Sequence, residues 1–280
     1  MDLDPSLDAA PTDSVVAAPA DFYYATLYLA PPARAAARAL EAMRRAITAI
    51  PAHCSDRGVA HLKLAWWHRE LDRLADGAPR HPLTRALLPQ TTVATPPLDI
   101  FRDLLAAVIA ELQDPPFTTR AAVLAHIAAM HGPFWQCVSG LGGAVGELPA
   151  ALGRLIALTE LAYQLRGLRQ HRRSGALWLA GERLHAHGLD VAQVRSAQSS
   201  PAIAALLGDE LAWVEVEIGR QLAALPRALR RRHAVPVTLG RCAMHALALT
   251  RADGCQVLER RIELLPMHKL WLAWRTHTFG

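Results

Sequence analysis

From Leu152 to Leu168 apolar residues return every three or four positions: Leu152, Leu155, Leu158, Leu161 or Ala162, Leu165 and Leu168. That period gathers them on one face of an α-helix, whereas a half-buried strand needs alternation. The same spacing recurs at Ala36, Leu40, Met43, Ile47 and Ile50. Alanine and leucine dominate and β-branched runs are few, which favours helices throughout. No convincing strand, internal repeat or interdomain linker breaks the pattern. The expected fold class is all-α, in a single domain.

Helix punctuation divides the chain. Residues 1–20 are rich in Asp, Pro, Ala and Ser without periodicity and read as a disordered N-terminal tail, leaving 21–280 as the folded domain. Asp21 opens a short helix through Leu29, and Pro31-Pro32 opens the next, which Pro51 ends. Ser55 or Asp56 starts a helix stopped by Gly77. A short helix follows His81-Pro82, and another runs from Leu98 to Leu112. Thr118 or Thr119 caps a helix to Met130, which Gly132-Pro133 interrupts or kinks before Trp135 to Leu141. The Leu152 helix follows Pro149 and meets a turn at Ser174-Gly175. A long helix runs from Pro201 to Arg232, another from Val237 to Glu263 with an interruption near Gly254 as the alternative, and Pro266 opens the last.

With 52% apolar residues in 280, a large core is available. The net charge of +5 rests almost wholly on arginine, since Lys63 and Lys269 are the only lysines. Such a balance suits an anionic partner, although the arginines are spread along the chain. Their densest cluster, Arg166, Arg169, Arg172 and Arg173 with His171, follows the Leu152 stripe. It is a candidate diphosphate or anion site, because guanidinium forks match phosphate oxygens. The plainer reading is a basic exposed helix end. Four cysteines without a CxxC pair indicate reduced thiols. No run reaches about 18 apolar residues, so no membrane span is expected. The start lacks a secretory signal, and the expected location is cytoplasmic, with peripheral contact at the inner membrane.

Other chemistries fail on pattern. Thirteen histidines include no HExxH and no convergent Cys/His spacing, so no metal site is expected. SGLGG around Ser139 lacks the GxSxG elbow, and Gly140 to Gly146 follows no strand. Asp72 with Asp76 and Asp99 with Asp103 spell DxxxD, yet each reads as a solvated stripe or a helix start favoured by the dipole. Arg230 to Arg232 lacks aromatic interleaving, so no nucleic acid is expected. Trp66, Trp67, Trp271 and Trp274 read as packing or interface residues. The last helix carries Leu270, Trp271 and Trp274 along one side; docking on its own domain is the default, with a partner or a membrane surface as the alternatives.

Taken together, FYYATLYLAPPARAAARALEAMRR (Phe22 to Arg45), KLAWWHREL (Lys63 to Leu71), HPLTRAL (His81 to Leu87), LGRLIALTEL (Leu152 to Leu161), GALWLAGERLHAHGL (Gly175 to Leu189) and LPMHKLWLAWR (Leu265 to Arg275) resemble the squalene/phytoene synthase family in order and spacing. The resemblance implies an isoprenoid-synthase-like helical bundle around a central cavity. It also implies prenyl diphosphate substrates held through Mg²⁺ by two aspartate-rich motifs, because the departing diphosphate must be neutralised by hard cations.

Both motif positions depart from that pattern. The first reads Ile47, Thr48, Ala49, Ile50 and Pro51, and the second places Gln164 and Leu168 where acids four apart belong. Arg44 does match a family position beside the first motif and joins the candidate ligand-binding set. His126 and Ala128 stand near family tyrosine positions. The reading is a catalytically degenerate member, a pseudoenzyme that binds a prenyl lipid or a protein partner, by analogy with relatives that act as assembly factors. No catalytic residue and no cofactor is assigned. The alternative is an active Mg²⁺-dependent prenyl-diphosphate transferase with relocated ligands.

Overall fold

The computed structural model describes residues 20–54, 56–87, 98–112, 117–144, 146–171, 177–196 and 200–280. All regular structure in them is helical: α1 (Ala20–Ala25), α2 (Pro31–Thr48), α3 (Ile50–His53), α4 (Arg57–Ala75), α5 (Pro82–Leu87), α6 (Leu98–Glu111), α7 (Arg120–Leu141), α8 (Ala150–Arg166), α9 (Leu168–His171), α10 (Gly181–Ala186), α11 (Val191–Ser196), α12 (Pro201–Ala224), α13 (Arg227–Arg232), α14 (Ala234–Ala252) and α15 (Pro266–Phe279). The expected tail lies outside the described residues except Ala20, which opens α1.

Several starts follow from local chemistry. Asp56, Thr119 and Ser200 cap α4, α7 and α12 by accepting the amides of Val59, Ala122 and Ile203 at 3.0, 3.1 and 3.2 Å. Proline occupies the first turn of α2, α12 and α15, where its missing N–H costs nothing. Gly77, just past α4, has φ +73, a conformation that disfavours a side chain.

α8 is the centre. It packs against α7, α12 and α14. Its Leu152, Leu155, Leu158, Leu161 and Leu165 are buried as the period requires, and so are Ile156, Ala157, Thr159, Glu160 and Ala162. Neighbours on several sides make it a core helix rather than an amphipathic surface one. The α14 contact is close: a Cβ on Gly240 would stand 2.8 Å from Leu155 Cδ1. α2, α4, α5 and α6 form a second group joined to α7 through α2 and α6, while α1, α13 and α15 cover α14.

Two helix ends differ from the sequence expectation, and at two further points the structure decides between alternatives the sequence left open. α7 runs unbroken through Pro133. An interior proline costs about 3 kcal/mol, and burial of Met130, Phe134 and Trp135 outweighs it at about 1.5–3 kcal/mol each. Pro51 lies inside α3, because the break falls at Ala49. The Pro201 helix stops at Ala224, where Leu225 before Pro226 turns extended. α14 ends at Ala252, at the interruption the sequence offered near Gly254, and Gly254 and Cys255 both take positive φ in the turn that follows.

Candidate functional site

A pocket of about 150 Å³ lies where α1, α2, α3, α7 and α8 converge. α2 runs along it with Glu41, Arg44, Arg45 and Thr48, spaced three or four apart so that they share a face. α3 contributes Pro51 and His53. α7 and α8 contribute Met130, His131, Trp135, Glu160, Tyr163 and Gln164. Trp178 and Arg261 reach it from connecting segments.

The charged part of the wall is buried. Arg44 donates to both oxygens of Glu41, at 2.7 and 2.9 Å, one helical turn away. Its Nη1 lies 3.3 Å from Glu160 Oε1 and 3.1 Å from His131 Nδ1. Arginine only donates, so His131 Nδ1 accepts and the ring is the neutral Nε2–H tautomer. Trp135 Nε1–H donates to Glu160 Oε1 at 2.9 Å. Burial works against the Arg44 charge, but Glu160 and Glu41 outweigh it and raise its pKa above the ordinary arginine value. Burial, with Arg44 and His126 nearby, holds His131 well below the usual histidine range. Arg44 also lies over the Phe134 ring, 5.0 Å from its centroid.

Behind the wall, Tyr163 O–H donates to Asp21 Oδ2 at 3.0 Å, and Asp21 Oδ1 lies 2.8 Å from Lys269 Nζ on α15. Burial and the Asp21 charge push Tyr163 well above the ordinary phenol range, so it stays a donor. Trp178, almost buried, holds φ +54, a left-handed conformation costly for a bulky side chain, while stacked on Phe117 at 5.7 Å.

Of the residues singled out from sequence, Arg44, Thr48, Pro51 and Gln164 line the pocket. Ile47 and Leu168 do not; both are buried in the apolar core. Gly167 ends α8 between Gln164 and Leu168, so those two positions straddle a helix break. Arg166 and Arg169 point to the segment before α15. Buried Arg166 donates to the Ile262 carbonyl and lies 3.6 Å from Glu263, and Arg169 donates to the Glu259 carbonyl at 2.5 Å. Arg172 and Arg173 lie outside the described residues. Asp72 pairs on the exposed surface with Arg102 at 3.0 Å, and Asp76, Asp99 and Asp103 are also exposed, none of them in the pocket lining. Sequence reasoning missed Arg45, His131, Tyr163, Trp178 and Arg261 at this site. Arg45 adjoins Arg44 and Tyr163 adjoins Gln164 in sequence, so both were findable; the other three arrive from segments the sequence reading had not tied to the site.

A family model described as squalene/phytoene synthase matches residues 16–268. Among solved structures, the fold is similar to squalene synthase HpnC from Alicyclobacillus acidocaldarius, at TM-score 0.62 and 19% identity over 84% of this chain and 89% of that one. It is similar to a dehydrosqualene synthase solved in complex with ligand, at TM-score 0.68 and 17% identity over 91% and 90%. YisP from Bacillus subtilis subsp. subtilis strain 168 follows at TM-score 0.56 and 14% identity over 92% and 90%. At such identities these likenesses speak for the fold alone. No curated protein is similar enough to match the chain.

Proposed function

The chain belongs to the squalene/phytoene synthase family, and on that premise we propose that it is a catalytically degenerate member that binds one isoprenoid or prenyl phosphate in the α2/α7/α8 pocket without ionising it. The observation that carries this reading is the donor set. Where the family's chemistry calls for carboxylates around Mg²⁺, the pocket offers the Thr48 hydroxyl, the Pro51 ring and the Gln164 amide. Three carboxylates line the pocket: Glu111 stands on α6, apart from the other two, and Glu41 and Glu160 are already closed on Arg44 and the Trp135 indole. Mg²⁺ is normally held through several carboxylates and substrate phosphates, and a set with two of its three carboxylates bound to one guanidinium does not fit it.

The wall combines aromatic surface from Phe22, Trp135 and Trp178 with cations from Arg45 and Arg261. Arg261 pairs with Glu263 at 2.6 Å, and a guanidinium has five donors, so capacity for a phosphate oxygen remains.

The test uses the purified protein with farnesyl or geranylgeranyl diphosphate, Mg²⁺ and NADPH. The expected result is intact diphosphate with no squalene or phytoene. Calorimetric titration with farnesyl diphosphate should show binding of similar affinity with and without Mg²⁺, weakened by Arg45→Ala or Arg261→Ala. Turnover that disappears in Asp72→Asn/Asp76→Asn or Asp99→Asn/Asp103→Asn would instead establish a working transferase with relocated metal ligands.

A further inference from the structure

α15 buries a charged side chain and exposes large apolar ones. Its inward side buries Lys269 together with Leu272, Ala273 and Thr276. Its outward side carries Met267, Trp271 and Trp274, 73%, 45% and 44% exposed. These three stand at i, i+4 and i+7, so they form one stripe. A surface helix ordinarily shows charge outward, and an exposed row of large apolar side chains marks an interaction face.

The charge around that stripe has one sign. α13 packs against α15, and Gly280 at the end of α15 abuts Arg227 and Arg231. The two helices contain no acid; Arg227, Arg231, Arg232 and Arg275 are exposed on them. Arg275 lies over the Trp271 ring, 5.2 Å from its centroid, a cation resting on the aromatic it flanks. Glu263, just before α15, is engaged by Arg261 at 2.6 Å and Lys269 at 3.2 Å. No helix among the described residues is long and apolar enough to cross a membrane.

We infer that the outer face of α15, with α13 beside it, docks on an anionic lipid surface. Tryptophan and methionine enter the boundary between headgroups and acyl chains, while arginine stems lie along apolar surface and keep their charge among the phosphates. Charge complementarity selects this occupant. A two-fold contact with a second copy through the same face would set arginines against arginines with no acid on either helix to meet them. Lipid binding leaves α15 seated as it is, because Lys269 stays anchored to Asp21 at 2.8 Å.

The experiment is vesicle sedimentation of the full chain at low salt, with phosphatidylcholine alone or mixed with phosphatidylglycerol. Partitioning into the anionic vesicles should exceed that into neutral ones by about tenfold or more and should fall as salt rises. Trp271→Ala/Trp274→Ala and Arg231→Ala/Arg232→Ala should each lose most of that binding, with circular dichroism matching the unsubstituted protein. Brominated acyl chains in anionic vesicles should quench tryptophan emission of the unsubstituted chain, a readout independent of any variant's folding. Three results overturn the inference: equal partitioning into neutral and anionic vesicles, absence of bromolipid quenching, or a concentration-dependent dimer by light scattering that the tryptophan variant abolishes.

Discussion

Two buried glutamates are satisfied in opposite ways. Glu70 on α4 is fully buried, and its Oε1 accepts the amides of Arg80 and His81 at 2.7 and 2.8 Å and the Thr84 hydroxyl at 2.6 Å. Arg73 donates to the other oxygen at 3.1 Å from a partly exposed position. Three of four donors are neutral, and all lie within fourteen residues of Glu70. Glu160 on α8 instead faces the Arg44 charge, which it shares with Glu41, and takes the Trp135 indole from another helix. The first arrangement fixes a turn and could exist in almost any helical protein. The second depends on α2, α7 and α8 meeting, and it sits on a pocket wall. Burying one cation between two carboxylates makes each member costly to lose, because removal of one leaves the others uncompensated.

The largest expected effect breaks the second centre. Arg44→Met strands Glu41 and Glu160 in a buried site and should lower stability by about 3–5 kcal/mol, read by urea denaturation. Combining it with Glu41→Gln and Glu160→Gln should restore much of that loss, since no buried charge then remains; a triple variant as unstable as Arg44→Met would show that packing, not charge, sets the effect.

Glu70→Ala should cost less, about 2–3 kcal/mol, as orphaned but near-surface donors reach water. The pH dependence separates it further. Burial alone would raise the Glu70 pKa, but hydrogen bonds from Thr84, His81, Arg73 and Arg80 lower it below the ordinary value. Its stabilisation is therefore complete above the unfolded carboxylate pKa of about 4.3 and drains away as pH falls through the lower folded value. Glu70→Gln should lose less stability than the unsubstituted protein across that acid window.

His131 gives a pH signature to the second centre. Its folded pKa is depressed, so the unfolded chain takes up a proton near pH 6.5 that the folded chain refuses. Stability should be full above that pH and fall below it, by up to about 1.4 kcal/mol per pH unit. His131→Asn keeps an acceptor for Arg44 and should flatten the slope between about pH 6.5 and 5; an unchanged slope would place the responsible histidine elsewhere. The smallest effect should be Thr84→Val, about 1 kcal/mol, because Glu70 retains two backbone donors.

The contrast also explains what could be read in advance. The KLAWWHREL and HPLTRAL segments resemble the family jointly, and the Glu70 contacts to Arg80, His81 and Thr84 are the physical link between them. Most helix positions and the burial of Ala36, Leu40, Met43, Ile47 and Ile50 likewise followed from spacing, while two caps were narrowed to neighbouring pairs from which the structure selects Asp56 and Thr119. The arginine cluster was legible as a cluster but not in direction: Arg166 and Arg169 turn to carbonyls of Ile262 and Glu259, 96 and 90 residues away.

Local chemistry thus determined the helices, most of their ends and the all-α class, and the sequence singled out candidate residues for a site. Tertiary structure decided which of those residues share a pocket. Gly167 ends α8 and sends Leu168 into the core while Gln164 stays on the wall. Glu41 and Glu160, separate acids in the sequence, became one buried cluster through Arg44. The reason is range. A hydrogen bond or a helical period acts over a few residues, whereas the field at a buried charge is set by every helix packed against it.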